Sequence, residues 1–354
     1  MDFGTNTILV TGAAGWLGQG LVSALLQGLD QHEALRAPLP KSTKIRCLVL
    51  PGQDGERLKA LSDQVEIVVG DVREPEDCQR FCEGASGAVL FHTAGVIHPR
   101  RVAEFYAVNL TGTTNLLDAA IAADMRRAVV VSSNSPCGCN PHPDHLFDED
   151  SPYHPYMNYG RSKMEMEKAV LERQRRGAIE TVIVRAPWFY GPHQPPRQTL
   201  FFRMVRDGKV PVVGRGDNLR SMVYIDNLCA GLLLAALVDS AAGQTYWIAD
   251  RRPYSMNEII ETVACVLEDD FQQRCTRGRL QLPSLAGRIA YLADASLQRL
   301  GLYHQKIHVL SEMDRTIACS VAKAQSELGY SPSIELKEGM RRSLTWLTAQ
   351  GITL

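Results

Sequence analysis

The sequence predicts an α/β protein, a doubly wound parallel sheet with a smaller C-terminal α/β lobe. Three observations lead there. Short apolar runs alternate with helical patterns through the first half, the order of elements that gives a parallel sheet covered by helices on both faces. Three glycines at a spacing of three, in Thr11-Gly-Ala-Ala-Gly-Trp-Leu-Gly18, stand where the first strand passes into the first helix. After Arg185 the alternation stops and prolines gather at 187, 192, 195, 196 and 211, which marks the start of a second lobe.

Taken in order, the strands are expected at Thr7 to Val10, Ile45 to Leu50, Val65 to Val69, Ala88 to His92, Ala128 to Val131 and Thr181 to Val184. Helical patterns fall between them at Leu17 to Gln27, Pro75 to Cys82, Val102 to Ala123 and Tyr156 to Arg175. The segment from Gly28 to Lys44 carries two prolines and is long for a connection in a compact domain, so it reads as a surface insertion. Leu228 to Val238 and Tyr246 to Ala249 read as one more helix and strand returning to the sheet. The expected division is therefore residues 1–186, joined by 225–250, as a dinucleotide-binding lobe, and 187–224 with 251–354 as a substrate-binding lobe.

Each glycine of the turn has its own duty. Gly12 allows the sharp reversal out of the strand, since glycine adopts positive φ without strain. Gly15 leaves room for a ligand phosphate to reach the free amides and positive end of the helix. Gly18 lets the helix pack closely on its own sheet, the third duty of a dinucleotide fingerprint. No Lys-Ser/Thr pair follows, so the turn is not a Walker-type phosphate loop.

Composition narrows the field. With 354 residues, 45% apolar, and a net charge of -1, this is an ordinary globular chain with no basic excess for nucleic acid. Nine cysteines without a C-x-x-C pair match no zinc framework, so free thiols and no metal are expected. The chain opens straight into a strand, without a basic leader. Its longest apolar run, Leu228 to Val238, is far short of the roughly 18 residues that span a bilayer. A cytoplasmic protein without a membrane span is expected.

Tyr159-Gly-Arg-Ser-Lys163 puts a phenol and an ammonium at i and i+4, on one side of a helix. A phenol titrates near 10 and is a poor base at neutral pH, but a fixed cation nearby favours the phenolate. A hydroxyl at a neighbouring strand end would orient a substrate oxygen, and Ser132 and Ser133 close the run Ala128 to Val131. Alone, a Tyr and a Lys four apart are most often structural; together with the glycine turn and the serine pair they form a constellation.

At this point the sequence resembles the extended branch of the short-chain dehydrogenase/reductase superfamily, over nearly its whole length. Gly70-Asp71-Val72 resembles the adenine-contacting acidic turn, His92-Thr-Ala-Gly95 the cofactor-covering segment, and Asn109 the central-helix asparagine. Ser133 lies five residues before Gly138, where the family has its catalytic Ser or Thr. Arg185-Ala-Pro-Trp-Phe-Tyr-Gly-Pro192 resembles the motif whose proline lies near the nicotinamide, while Arg220 to Asn227 and Lys323 to Tyr330 resemble substrate-lobe motifs.

The resemblance implies a Rossmann sheet and hydride transfer between nicotinamide C4 and a secondary alcohol or ketone. Tyr159 would exchange the proton, Lys163 bind the ribose and lower the phenol pKa, and Ser133 hold the substrate oxygen. It implies a cofactor set of Gly12, Gly15, Trp16, Leu17, Gly18, Asp71, Val72, Thr93, Ala94, Gly95, Asn109, Ser132, Tyr159, Lys163 and Pro187. Ser133, Asn134, Trp188 and Arg220 would face a small-molecule substrate. The second strand ends at Leu50 without a cation, which leans to NAD over NADP. Relatives often form homodimers through the two central helices.

Within the superfamily, dehydratases carry Asp-Glu after the catalytic Ser/Thr, whereas this chain has Asn134-Ser135, which counts against dehydration. Arg220 suits the diphosphate of a sugar-nucleotide epimerase substrate, with Asp314-Arg315 near the same site. Trp188 stands where many of those enzymes have an asparagine, and Asn227 where they tend to have Asp. Both resemble 3β-hydroxysteroid-dehydrogenase-like members, and an indole favours a flat or lipophilic substrate. That group is the leading expectation and the epimerase the alternative. A third reading, a cofactor-binding protein without catalysis, is opposed by the intact Tyr159 and Lys163.

Overall fold

A computed structural model describes residues 1–30 and 32–354. Six strands of the main sheet are β1 (Thr7–Thr11), β2 (Lys44–Val49), β3 (Val65–Val69), β4 (Val89–His92), β5 (Arg127–Ser133) and β6 (Glu180–Ala186), and the seventh is Thr245–Trp247. Across the sheet the order is Thr245–Trp247, β6, β5, β4, β1, β2, β3, and every pairing is parallel.

The apolar runs are continuous because both faces of the sheet are covered. Ile8 and Val10 of β1 are fully buried against α1 (Trp16–Gln27) and the helix Ile225–Leu237, while Leu9 points the other way, into a core with Leu116, Leu117, Met166 and Val170. Chain order reverses between β1 and β4, whose ends meet at Thr11 and His92. In an open sheet such a reversal leaves a crevice beyond the carboxyl ends of the strands. The glycine turn, Thr93 to Gly95, Ser133 and Pro187 all leave the sheet at that edge.

Two expectations change. The segment after Gly28 is not a mere surface insertion: Leu35 and Leu39 are buried in the main core, and the Leu39 amide bonds to Leu25 O at 2.9 Å. The central helix is three pieces, Val102–Phe105, a π-helical stretch Tyr106–Gly112, and Thr113–Ala122. Gly112 is required there, since a Cβ would come within 2.7 Å of Val72 Cγ2.

Beyond β6, Trp188–Tyr190 pairs in parallel with Met222–Tyr224, and Leu219–Arg220 pairs antiparallel with Tyr254–Ser255. The C-terminal part is mainly helical and includes Pro196–Arg206, Ser284–Arg299 and Gln305–Glu312. Asn227, read above as a substrate-class marker, ties these parts together: its amide donates to Asp250 Oδ1 at 2.9 Å and to Ile334 O at 2.8 Å. It is buried, so it acts as a structural tie and does not itself touch a substrate.

Candidate active site

The glycine turn has the form its residues require. Gly12 has φ +65°, and a Cβ there would lie 2.7 Å from Ala94 N, so only glycine fits between the first and fourth strand ends. At Gly15 the one near neighbour of a Cβ is Gly12 O at 3.0 Å, leaving the side toward the crevice open. A Cβ on Gly18 would collide with the Gly12 carbonyl and lie 2.6 Å from Ala13 Cα; the close approach is to the turn itself rather than to the sheet. α1 has no acidic residue in its first turn and no side-chain cap, so the amides of Trp16 and Leu17 keep their partial positive charge for an anion. Gly20, not singled out from sequence, meets Ile225 Cγ1 within 2.9 Å of its would-be Cβ, which brings α1 onto the helix Ile225–Leu237.

His92 locks the two strand ends together. Its Nδ1 lies 2.7 Å from Thr11 Oγ1 and its Nε2 2.8 Å from Thr113 Oγ1. Thr113 donates its own proton to Asn109 O, so Nε2 carries the hydrogen and Nδ1 accepts. Burial pushes this histidine down to about 3, and it stays neutral. Thr93 Oγ1 donates to Thr11 O at 2.7 Å. Asn109, on the π-helical stretch, accepts from Val96 N at 2.9 Å and donates to Val96 O at 3.1 Å, holding the Thr93 to Val96 segment in place. A Cβ on Gly95 would sit 3.3 Å from Asn109 Oδ1 and 3.5 Å from Lys163 Nζ. Gly95 thus lies against both the Asn109 amide and the Lys163 ammonium.

Tyr159, Ser162 and Lys163 share the buried side of the helix Met157–Arg175. Lys163 Nζ donates to Val131 O at 2.9 Å, and burial pushes its ammonium down to about 8. Burial and, less, the charge of Glu312 raise the Tyr159 phenol, while hydrogen bonding with Ser133 and the charge of Arg197 pull it partly back. Arg197 lies in the first turn of Pro196–Arg206, and Lys163, one helical turn from Tyr159, places its ammonium on the β5 carbonyl of Val131.

The two serines at the end of β5 part company, as successive strand residues must. Ser133 faces Tyr159, whereas Ser132 Oγ donates to Glu167 Oε1 at 2.5 Å. Glu167 is fully buried, pairs with Arg185 at 2.8 Å and accepts from Tyr153, so the Ser132 hydroxyl is spent on this ion pair and is not available to a cofactor. Asp71 differs in a similar way. Its carboxylate is held by the Arg73 guanidinium at 2.5 Å and lowered by it. Val72 is buried beside Gly112, and Pro187 is buried at the end of β6.

On the other side of Tyr159 the surround is aromatic. Phe105 lies 5.6 Å from its ring and Tyr303 5.2 Å from Phe105, edge on, and His98 Nδ1 meets Tyr303 OH at 2.7 Å. Trp188 is half-buried, edge on to Phe201 at 5.7 Å. Trp16 donates its indole N–H to Pro192 O at 2.6 Å and stacks near Phe189. Arg220 donates to Glu312 O, while its Nε is buried without a partner among the described residues. Asn134 turns the chain, its carbonyl accepting from Cys137 and Gly138. Arg197, Phe105 and Tyr303 carried no sequence signal, because nothing local links them to Tyr159.

A parallel sheet with a glycine turn at its reversal and a buried Ser-Tyr-Lys group beside it defines an extended short-chain dehydrogenase/reductase, an enzyme. The chain belongs to the NAD dependent epimerase/dehydratase family, whose model matches residues 8–249. It is 53% identical over 345 residues to an uncharacterized protein, y4nL, of Sinorhizobium fredii, covering 97% of this chain and 96% of that one. It is 29% identical to the 3beta-hydroxysteroid-dehydrogenase/decarboxylase isoform 1 of Arabidopsis thaliana, over 95% of this chain and 78% of that protein. Its fold is that of DesIV, a dTDP-glucose 4,6-dehydratase from Streptomyces venezuelae solved with NAD and TYD bound, with a TM-score of 0.75, 23% identity and 97% of each chain covered. The cofactor is NAD, as in the family.

Proposed function

We propose that this enzyme moves a hydride between NAD and a secondary alcohol or ketone of a lipophilic substrate, in the manner of a 3β-hydroxysteroid dehydrogenase. The observation that carries this reading is the half-buried Trp188 just beyond Pro187, edge on to Phe201 at 5.7 Å, whose indole offers flat apolar contact where a sugar would need hydrogen-bonding partners. The Arabidopsis relative, named for a hydroxysteroid dehydrogenase, supports the same class.

Bound NAD supplies the hydride acceptor or donor at its nicotinamide. The α1 amides and Gly15 would hold the diphosphate, and Asn109 and Lys163, both beside Gly95, would hold the ribose. Ser133 positions the substrate oxygen and Tyr159 takes or gives its proton. Lys163, whose ammonium burial pushes down to about 8, would donate to the ribose. The end of β2 offers no cation for an extra phosphate, and Asp54 accepts from Arg57 N at 3.2 Å, so a preference for NAD over NADP rests on that missing cation. Residues 187–224 and 251–354 form the substrate lobe, and two copies pair through the central helices.

The second reading, a sugar-nucleotide epimerase, draws on the unpartnered Arg220 Nε, which a diphosphate oxygen would satisfy. Titration with uridine and thymidine diphosphates separates the two. A lipophilic substrate predicts no measurable binding by the wild type, and weaker substrate binding in Trp188→Ala. Tight binding that Arg220→Ala weakens by about 1.5 to 3 kcal/mol, roughly ten- to more than a hundredfold, would make the epimerase the answer.

A further inference from the structure

The helix Ser284–Arg299 is inside out. Its buried line is Gly287, Ala290, Asp294 and Gln298, all small or polar. Its outward line is Leu285, Ile289 and Leu292, exposed by 60%, 59% and 65%. These repeat at i, i+4 and i+7, so they form one stripe. Leu300, 76% exposed, continues it past the helix end, and Leu302 and Val309 are exposed beyond.

The inner face is polar because it holds the active site. Gln298 Oε1 accepts from Asn158 N at 3.1 Å, in the helix that carries Tyr159. Asp294 pairs with His308 at 2.7 Å, and Tyr303 joins the aromatic group around Tyr159. With the inner face so committed, the leucines and isoleucine have no core to enter. An apolar stripe left in water on this scale marks an interaction surface.

Charge indicates what covers it. Residues 271–314 contain five arginines, one lysine and three acids, Asp294, Glu312 and Asp314; Asp294 is fully buried and the other two are half-buried. Arg277 is engaged by Glu261 and Glu268, whereas Arg288 and Arg299 stand exposed on the striped helix with no ion-pair partner among the described residues. We propose that this face docks on an anionic lipid bilayer, its stripe in the interface and its arginines on the phosphate headgroups. A second copy seated on the same stripe would bring arginine against arginine, so like charge disfavours self-pairing. Among the described residues no helix is long and apolar enough to cross a membrane, and the docking is to the surface. It sets the cap over Tyr159 against the bilayer, a route for a lipophilic alcohol or ketone to the site. That use rests on the proposed function; the docking does not.

Co-sedimentation of the full chain with vesicles, without substrate, tests it. Vesicles of equal parts phosphatidylcholine and phosphatidylglycerol should carry the protein down, pure phosphatidylcholine should not, and added salt should release it. Ile289→Glu with Leu292→Glu should lower partitioning more than about tenfold, and Arg288→Gln and Arg299→Gln by roughly fivefold each, with circular dichroism unchanged. Failure to bind anionic vesicles, or equal binding to neutral ones, overturns the proposal. So does a wild-type oligomer that Ile289→Glu with Leu292→Glu converts to monomer, which would give the stripe to a second copy. NAD-linked turnover of lipophilic secondary alcohols and ketones, dispersed in detergent without vesicles, is read separately: its absence with vesicle binding intact removes the proposed function and leaves the docking.

Discussion

The turn from Gly12 to Gly18 and the surround of Tyr159 face the same crevice and are built by opposite means. The turn is made of backbone: two glycines that cannot bear a Cβ, one whose Cβ would enter the crevice, and helix amides left without acid. The tyrosine's surround is made of side chains from separate segments, Phe105, Ser133, Arg197 and Tyr303. The difference teaches that a cofactor shared across a family can be held by groups every residue possesses, whereas a particular substrate is met by side chains that only the fold brings together.

Three experiments break or sharpen that contrast. The largest effect is expected at Tyr159. Tyr159→Phe keeps the ring packing on Phe105 but removes the proton, so turnover should fall on the order of a hundredfold or more while NAD affinity measured by calorimetry stays unchanged. Near-normal turnover would remove Tyr159 from the chemistry.

Next comes a division within the turn. Gly18→Ala places a methyl on the Gly12 carbonyl and should cost about 1 to 3 kcal/mol of stability through overpacking, seen as a lower Tm. Gly15→Val has only Gly12 O near its Cβ, so it should melt close to wild type and yet bind no NAD. A Gly15→Val protein with normal NAD affinity would mean that the turn is a structural device alone.

The smallest effect is electrostatic and belongs to the cap. Burial would lower His308, but its hydrogen bond to Asp294 and the charges of Glu312 and Asp294 prevail and raise it. A raised histidine contributes stability in full below its ordinary value of about 6.5, and that contribution is lost as pH rises through the folded value. The wild type should therefore lose stability relative to His308→Gln as pH rises across that window. Parallel Tm-against-pH curves for the two proteins would show that the pair adds nothing.

What the sequence determined by itself is the part that depends on near neighbours. The strands of the sheet, α1 and the helix Met157–Arg175 were legible because burial on both faces demands largely apolar runs and because glycine turns and helical periodicity act within a few residues. Gly12, Gly15 and Gly18 were legible for the same reason, as were Tyr159 and Lys163, one helical turn apart. Only the tertiary structure decided that Ser133 and not Ser132 faces the tyrosine, since Glu167 and Arg185 are what claim the other hydroxyl. It also decided that the Lys163 ammonium bonds to Val131 O on β5, that Asn227 is a structural tie, and that Ser284–Arg299 turns its leucines outward. Each of these depends on which distant side chain arrives at a given place, and sequence spacing carries no measure of that distance.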